Sequence, residues 1–328
     1  MDRPVIEAPP AVGERWKSLF RAVKAIYVVA VVVAMGWGLS RIDVPDQEDL
    51  FAILRLPTAS GFVLAWCLMA VLLGWLWQLW VKWRYDVRLG ALEWLYAQAL
   101  AWSGRYLPGK LGLVLGKLVL ARDDRLGWRQ VGASVLVEQL AFVAAGVLVG
   151  VLLLPATVVE GFVWIPSWAM GNWSGLRAGV AVGVAAAFVL ALRLIDMIGA
   201  HRSTVATGCP GVPFQLALLG LYVLPHLLVG AAFHALVLAA SPGDAAPLLA
   251  HSIAVLALAH VAGIAAVFAP AGLGVRELVL AVGLSPLLEF EQALLLAAVL
   301  RFLTLLADGL VVIFVGGIWA GRKWRSIC

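Results

Sequence analysis

The chain has 328 residues, 63% of them hydrophobic and only 13% charged, with a formal net charge of +5. A soluble domain cannot hide that much apolar surface, and no basic, aromatic-interleaved polar face is present to hold a nucleic acid. Several runs of about 20 residues carry almost no charge, enough to cross roughly 30 Å of hydrocarbon. The composition therefore defines an all-α, polytopic integral membrane protein with no stretch long enough for a second, soluble domain.

The N-terminal segment, 1–24, is mixed in charge, and no small-residue cleavage site follows the first apolar run, so it does not read as a secretory signal. The first predicted span, Ala25 to Leu39, is short, with Lys24 and Arg41 placed to snorkel at its ends. The second runs from Phe62 to Val81. Two short apolar legs follow, Ala91 to Trp102 and Leu111 to Ala121, hinged at Leu107-Pro108-Gly109. Val131 to Leu154 is the third full span. An outer connector, 155–174, carries Trp164, Trp168 and Trp173 as an interfacial belt. Gly175 to Leu194 is the fourth span and Val212 to Ala240 the fifth. His251 to Phe268 and Leu273 to Leu284 form a second pair of legs, hinged at "APAGLG". The sixth span, Gln292 to Trp319, leads into a tail, 320–328. The expected architecture is six full spans plus two re-entrant or broken helical hairpins.

Charge sets the expected orientation. With the N-terminus in the cytoplasm, the cytoplasmic segments hold 19 of the 24 Lys and Arg residues. The outer loops gather acids, including Asp43, Asp46, Glu48, Asp49, Glu160 and Asp244. The positive-inside rule places both termini inside a bacterial-type plasma membrane. The order span, span, hinged pair, span occurs twice, in 25–154 and again in 175–319. Each unit crosses three times on this reading, so the second is inverted relative to the first. Pro108 lies 30 residues before Glu138, and Pro270 lies 31 before Arg301. Inverted repeats with broken helices near the midplane are a transporter arrangement.

The candidate site follows from the hinges. A Pro-Gly break leaves free backbone groups and half-helix ends, and helix N-termini attract anions. Arg105 and Lys110 flank Pro108 and Gly109, a cradle suited to a lipid phosphate. For Lys117 at the far end of the leg, snorkelling to headgroups is an equally good reading. Gly272 and Gly274 permit a tight turn and close helix contact. Arg276 and Glu277 sit in the second return leg, Glu138 two turns into the third span with Ser134 on its face, and Arg301 mid-way along the sixth with Asp308 on the same face. Intramembrane charges are expensive when unpaired and mark function by default, so Glu138 or Asp308 is expected to pair with Arg276 or Arg301. His226 reads as a satisfied polar histidine. His260, near the second hinge, is a weak proton-relay candidate. Cys67, Cys209 and Cys328 have no metal-ligand or disulfide-framework spacing, and neither metal nor cofactor is expected.

The stretches "GRYLPGKLGLVLGK", "SVLVEQL", "PAGLGVRE" and "LRFLTLLADGL" together resemble the transmembrane domain of the lysylphosphatidylglycerol synthase/flippase family, over about residues 20–320. The resemblance implies lipid movement between leaflets without the soluble synthase domain, and carries over to Arg105, Pro108, Gly109, Lys110, Glu138, Gly272, Gly274, Arg276, Glu277 and Arg301. The expected function is a lipid flippase or transporter, not an enzyme, acting on an anionic phospholipid or polyprenyl phosphate. The alternatives are an accessory subunit, or an intramembrane enzyme, of lipid or glycan synthesis. The expected partners are membrane lipids. A homo-oligomer and a synthesis complex are both left open.

Overall fold

A computed structural model describes residues 56–105, 111–118, 126–156, 171–200, 210–241, 248–267 and 269–325. The predicted first span, Pro108, Gly109 and Lys110, Trp164 and Trp168, and Cys209 and Cys328 lie outside the described residues. All described residues belong to one unit, 42–328.

These residues form helices and no strands. In chain order they are α1 (Leu56–Tyr85), α2 (Ala91–Gly104), α3 (Leu111–Leu118), α4 (Trp128–Leu153), α5 (Trp173–Ala200), α6 (Val212–Leu221), α7 (Val223–Ala240), α8 (Leu249–Ala265), α9 (Val275–Leu284) and α10 (Phe290–Arg325), with a single 3-10 turn at Pro270–Gly272. Within the described residues, five segments are long and apolar enough to cross a membrane: α1, α4, α5, α6 with α7, and α10. They overlap the second to sixth predicted spans. The chain is thus a multi-pass helical membrane protein by length and composition.

The break between α6 and α7 has a local cause. Pro225 cannot donate a backbone hydrogen bond, and its ring crowds the carbonyl four residues earlier, that of Leu221. Helix α6 ends at that residue, and Tyr222 N–H donates to Leu218 O at 3.1 Å before the helix resumes.

Two pairs of short helices occupy the predicted legs. Helix α2 has 14 residues and α3 has 8, which is about 21 Å and about 12 Å of helix. Helix α8 has 17 residues and α9 has 10, about 25 Å and about 15 Å. None of these helices alone matches a hydrocarbon core of roughly 30 Å.

Backbones meet closely where a glycine faces a neighbour. Gly116 of α3 lies on the backbone of Ala101 in α2, so a side chain there would run into main-chain atoms. Gly230 of α7 faces Ile253 of α8, and Gly146 and Gly150 of α4 face Val261 and Leu258 of α8. Such small-residue contacts drive helix association in lipid, where burial of apolar surface gains little. Helix α8 is enclosed as a result: residues 251–257, 259 and 260 are all buried. Among the described residues, little of the apolar stretch of α5 is buried. It is tied to α1 by an ion pair, Arg84 Nε to Asp196 Oδ1 at 2.8 Å.

Candidate functional site

The turn after α8 is built by glycine. Ala271 (φ 50), Gly272 (φ 72) and Gly274 (φ 83) all adopt the left-handed region. A Cβ on Gly272 would stand 2.7 Å from Gly263 Cα, so the turn folds directly onto α8. Glu277 then caps α9: its Oε2 accepts the Gly274 N–H at 2.8 Å, half of a capping box. A carboxylate in the first helical turn also suits the helix dipole. Its other oxygen faces Arg301 of α10, 3.8 Å from Nη1, and the same Nη1 donates to Ala271 O at 3.1 Å. Arg301 thereby locks the second hinge to α10.

The first hairpin is anchored differently. Arg105 follows the last residue of α2, and its cation complements that helix's C-terminus. It forms an ion pair with Asp308 of α10. Trp66 of α1 donates its indole N–H to the other Asp308 oxygen at 2.9 Å. The Arg105 guanidinium carbon also stands 4.5 Å from the Trp102 ring centroid, cation–π range. Deeper in the first hairpin, Lys117 of α3 is 1% exposed and pairs with Glu138 of α4. Gln98 of α2 approaches the second Glu138 oxygen at 3.5 Å. The Lys117 amine sits 4.2 Å from the Trp77 ring centroid, and Trp77 donates to Ser134 Oγ at 2.9 Å.

One of these pairings differs from the expected ones, and the other brings in a partner that was not expected. Glu138 meets Lys117 and not Arg276 or Arg301, and Asp308 meets Arg105. The reason lies in the fold: α3 is too short to carry Lys117 away from α4, so its ammonium falls beside Glu138 instead of reaching headgroups.

Trp66 joins the two hairpins. The guanidinium carbons of Arg105 and Arg276 lie 5.4 Å and 5.2 Å from its ring centroid. His260 of α8 stacks obliquely on it at 5.6 Å. Around this ring is a cavity of about 120 Å³ whose wall includes Arg105, Glu138, His260, Arg276 and Arg301. That volume is several times what one water needs. Arg276 is 7% and His260 8% exposed, and neither ring nitrogen of His260 has a hydrogen-bond partner among the described residues. His226 Nε2 donates to Phe142 O at 3.0 Å while its Nδ1 has no partner among the described residues, so the histidine expected to be satisfied is satisfied on one side, and His234 is bonded to Ser252 Oγ at 3.0 Å.

The structure thus gathers Arg105, Glu138, Arg276 and Arg301 on one cavity, with Asp308, Glu277, Gly272 and Gly274 holding them in place. Sequence reasoning missed Trp66, Trp102 and Gln98, and left Lys117 evenly divided between the site and the headgroups. Nothing local marks which tryptophans turn inward.

Among the described residues, the cavity wall presents three cations (Arg105, Arg276, Arg301) and one carboxylate (Glu138) beside aromatic rings, with Asp308, Lys117 and Glu277 facing Arg105, Glu138 and Arg301. It is a cation-bearing cavity in a helical membrane protein. Neither a protein-family model nor a curated protein sequence matches the chain.

Proposed function

We propose that the protein is a lipid transporter that receives an anionic lipid head, a phospholipid or polyprenyl phosphate, in the chamber around Trp66 and carries it between leaflets with no covalent step. The observation that carries this reading is the shared wall: arginines from both hairpins and from α10 face one buried cavity. Arg276 adds weight. It lies in the first turn of α9, where a cation opposes the helix dipole, and at 7% exposure it has little water.

Within this reading, the two hairpins belong to inverted repeats. The first repeat contains α1 to α4, and the second α5 to α10. Rocking of one against the other would open the chamber to each leaflet in turn. Both termini are cytoplasmic and the membrane is the plasma membrane, on the strength of the Lys and Arg bias. The likeness to the lysylphosphatidylglycerol synthase/flippase transmembrane domain points the same way. It rests on the hinge and charge stretches that carry it.

The test is leaflet exchange in liposomes containing fluorescent phosphatidylglycerol or a polyprenyl phosphate. The wild-type protein is expected to accelerate exchange, and Arg276→Ala to slow it. Folded protein that accelerates neither lipid refutes the proposal.

A further inference from the structure

The ion pairs around the chamber are not equally open to an arriving anion. Arg301 serves fixed groups: its Nη1 donates to Ala271 O at 3.1 Å and faces Glu277, which itself caps α9 through the Gly274 N–H. Displacing that pair would undo the second hinge. Lys117 is paired with Glu138 but does not line the cavity, so a ligand there does not compete for its ammonium. Arg105 differs from both. It lines the cavity, while its carboxylate partner, Asp308, stands behind the wall and does not.

The geometry of this pair suits an exchange of partners. Asp308 is 4% exposed. One of its oxygens accepts the Trp66 indole N–H at 2.9 Å and the other accepts from Arg105. Losing Arg105 therefore leaves it the Trp66 bond. The Arg105 guanidinium carbon lies 4.5 Å from the Trp102 ring centroid and 5.4 Å from that of Trp66, so the rings hold the cation in place whichever acceptor it serves. A guanidinium has five N–H donors and can serve two acceptors at once during a swap. The pair also ties the end of α2 to α10, across 203 residues of sequence.

We propose that Asp308 is a positioning residue that competes with the ligand's anionic head for Arg105: it holds the guanidinium while the chamber is empty, yields it on binding, and reclaims it to release the head. The inference rests on the proposed anionic lipid cargo. Two anions beside one guanidinium repel each other, and a carboxylate fixed within reach is always there to take the cation back. Apparent affinity falls with the fraction of molecules whose binding-competent state is populated, here those in which Asp308 has let Arg105 go. A transporter gains from this, because a head held by several arginines with no competitor would leave slowly. Each swap also removes one tie between the first hairpin and α10, which links loading of the chamber to movement of that hairpin.

The experiment uses the full-length protein and measures two quantities. Binding of tritiated dihexanoyl phosphatidylglycerol is followed in neutral detergent micelles, and leaflet exchange of fluorescent phosphatidylglycerol in liposomes. Asp308→Asn keeps an amide oxygen for the Trp66 N–H and removes the charge that occupies Arg105. It is expected to lower Kd several-fold and to slow exchange several-fold. A merely structural pair predicts the opposite split: affinity and exchange fall together. Weaker or unchanged binding in Asp308→Asn, or tighter binding with exchange at the wild-type rate, overturns the inference. If the empty variant does not survive purification, it is extracted with the lipid present and lipid exit on dilution is timed. Exit several-fold slower than from wild type supports the competition, and equal or faster exit overturns it. The two readings fail separately. Wild-type exchange with weaker binding in Asp308→Asn keeps transport and removes the competition. Tighter binding in Asp308→Asn, with no exchange by the wild-type protein, keeps the competition for Arg105 and removes transport.

Discussion

Lys117 and Glu138 offer the sharpest test of the fold around the chamber. Both are nearly sealed from solvent, at 1% and 5% exposure, and they are paired across the α3–α4 contact. Glu138→Gln leaves the ammonium buried beside Trp77 with no counter-charge. Lys117→Met leaves the carboxylate with only Gln98. Breaking one side of a buried pair costs about 3–5 kcal/mol, whereas replacing both partners by neutral groups of similar volume is close to neutral. Each single variant is therefore expected to lose about 3 kcal/mol or more. The double variant is expected to recover to within about 1–2 kcal/mol of wild type, a coupling energy of about 4 kcal/mol or more. Equilibrium unfolding in mixed micelles, followed by tryptophan fluorescence, measures all four corners of the cycle. Additive single effects each below about 1 kcal/mol would place Lys117 at the headgroups, and the pairing across α3 and α4 would be wrong.

Gly272→Val should be severe. It forces a branched side chain into positive φ and onto Gly263, at a cost of about 3 kcal/mol, while Gly309→Val, with open space around it, should unfold at nearly the wild-type midpoint. Trp66→Phe keeps the ring but deletes the donor to Asp308; a loss of about 1–2 kcal/mol is expected, together with weaker retention of anionic lipid on purification, and unchanged retention would speak against Trp66 as the joint of the two hairpins. Arg84→Ala should cost about 2–3 kcal/mol by stranding Asp196, yet leave leaflet exchange by the surviving folded fraction intact, because this pair lies off the chamber; a selective loss of exchange at normal stability would contradict that.

Much of the scaffold was legible one segment at a time. Apolar runs such as Val131 to Leu154 become long helices because a backbone in hydrocarbon must satisfy its own hydrogen bonds. Proline and glycine mark where that rule is broken: "PAGLG" becomes a turn with three positive-φ residues, as its hinge suggested, whereas the break before Pro225 falls inside the span predicted as continuous over Val212 to Ala240. The intramembrane charges were visible as candidates for the same reason, since none is cheap to bury.

Partner choice was not legible, because it depends on the rotation and packing of each helix about its neighbours. Asp308 and Arg105 are 203 residues apart, and no local pattern relates them. Helix α10 is apolar on several faces, so its sequence alone does not say which side meets Arg105 and which meets lipid. The length of α3 keeps Lys117 inside, and the turn of α1 aims Trp66 between the hairpins. By itself, the sequence determined that this is a multi-pass helical membrane protein with breaks and charges at particular points. Only tertiary structure decided which charges neutralise one another and which line a common cavity, because electrostatic pairing acts over a few ångströms in space regardless of distance along the chain.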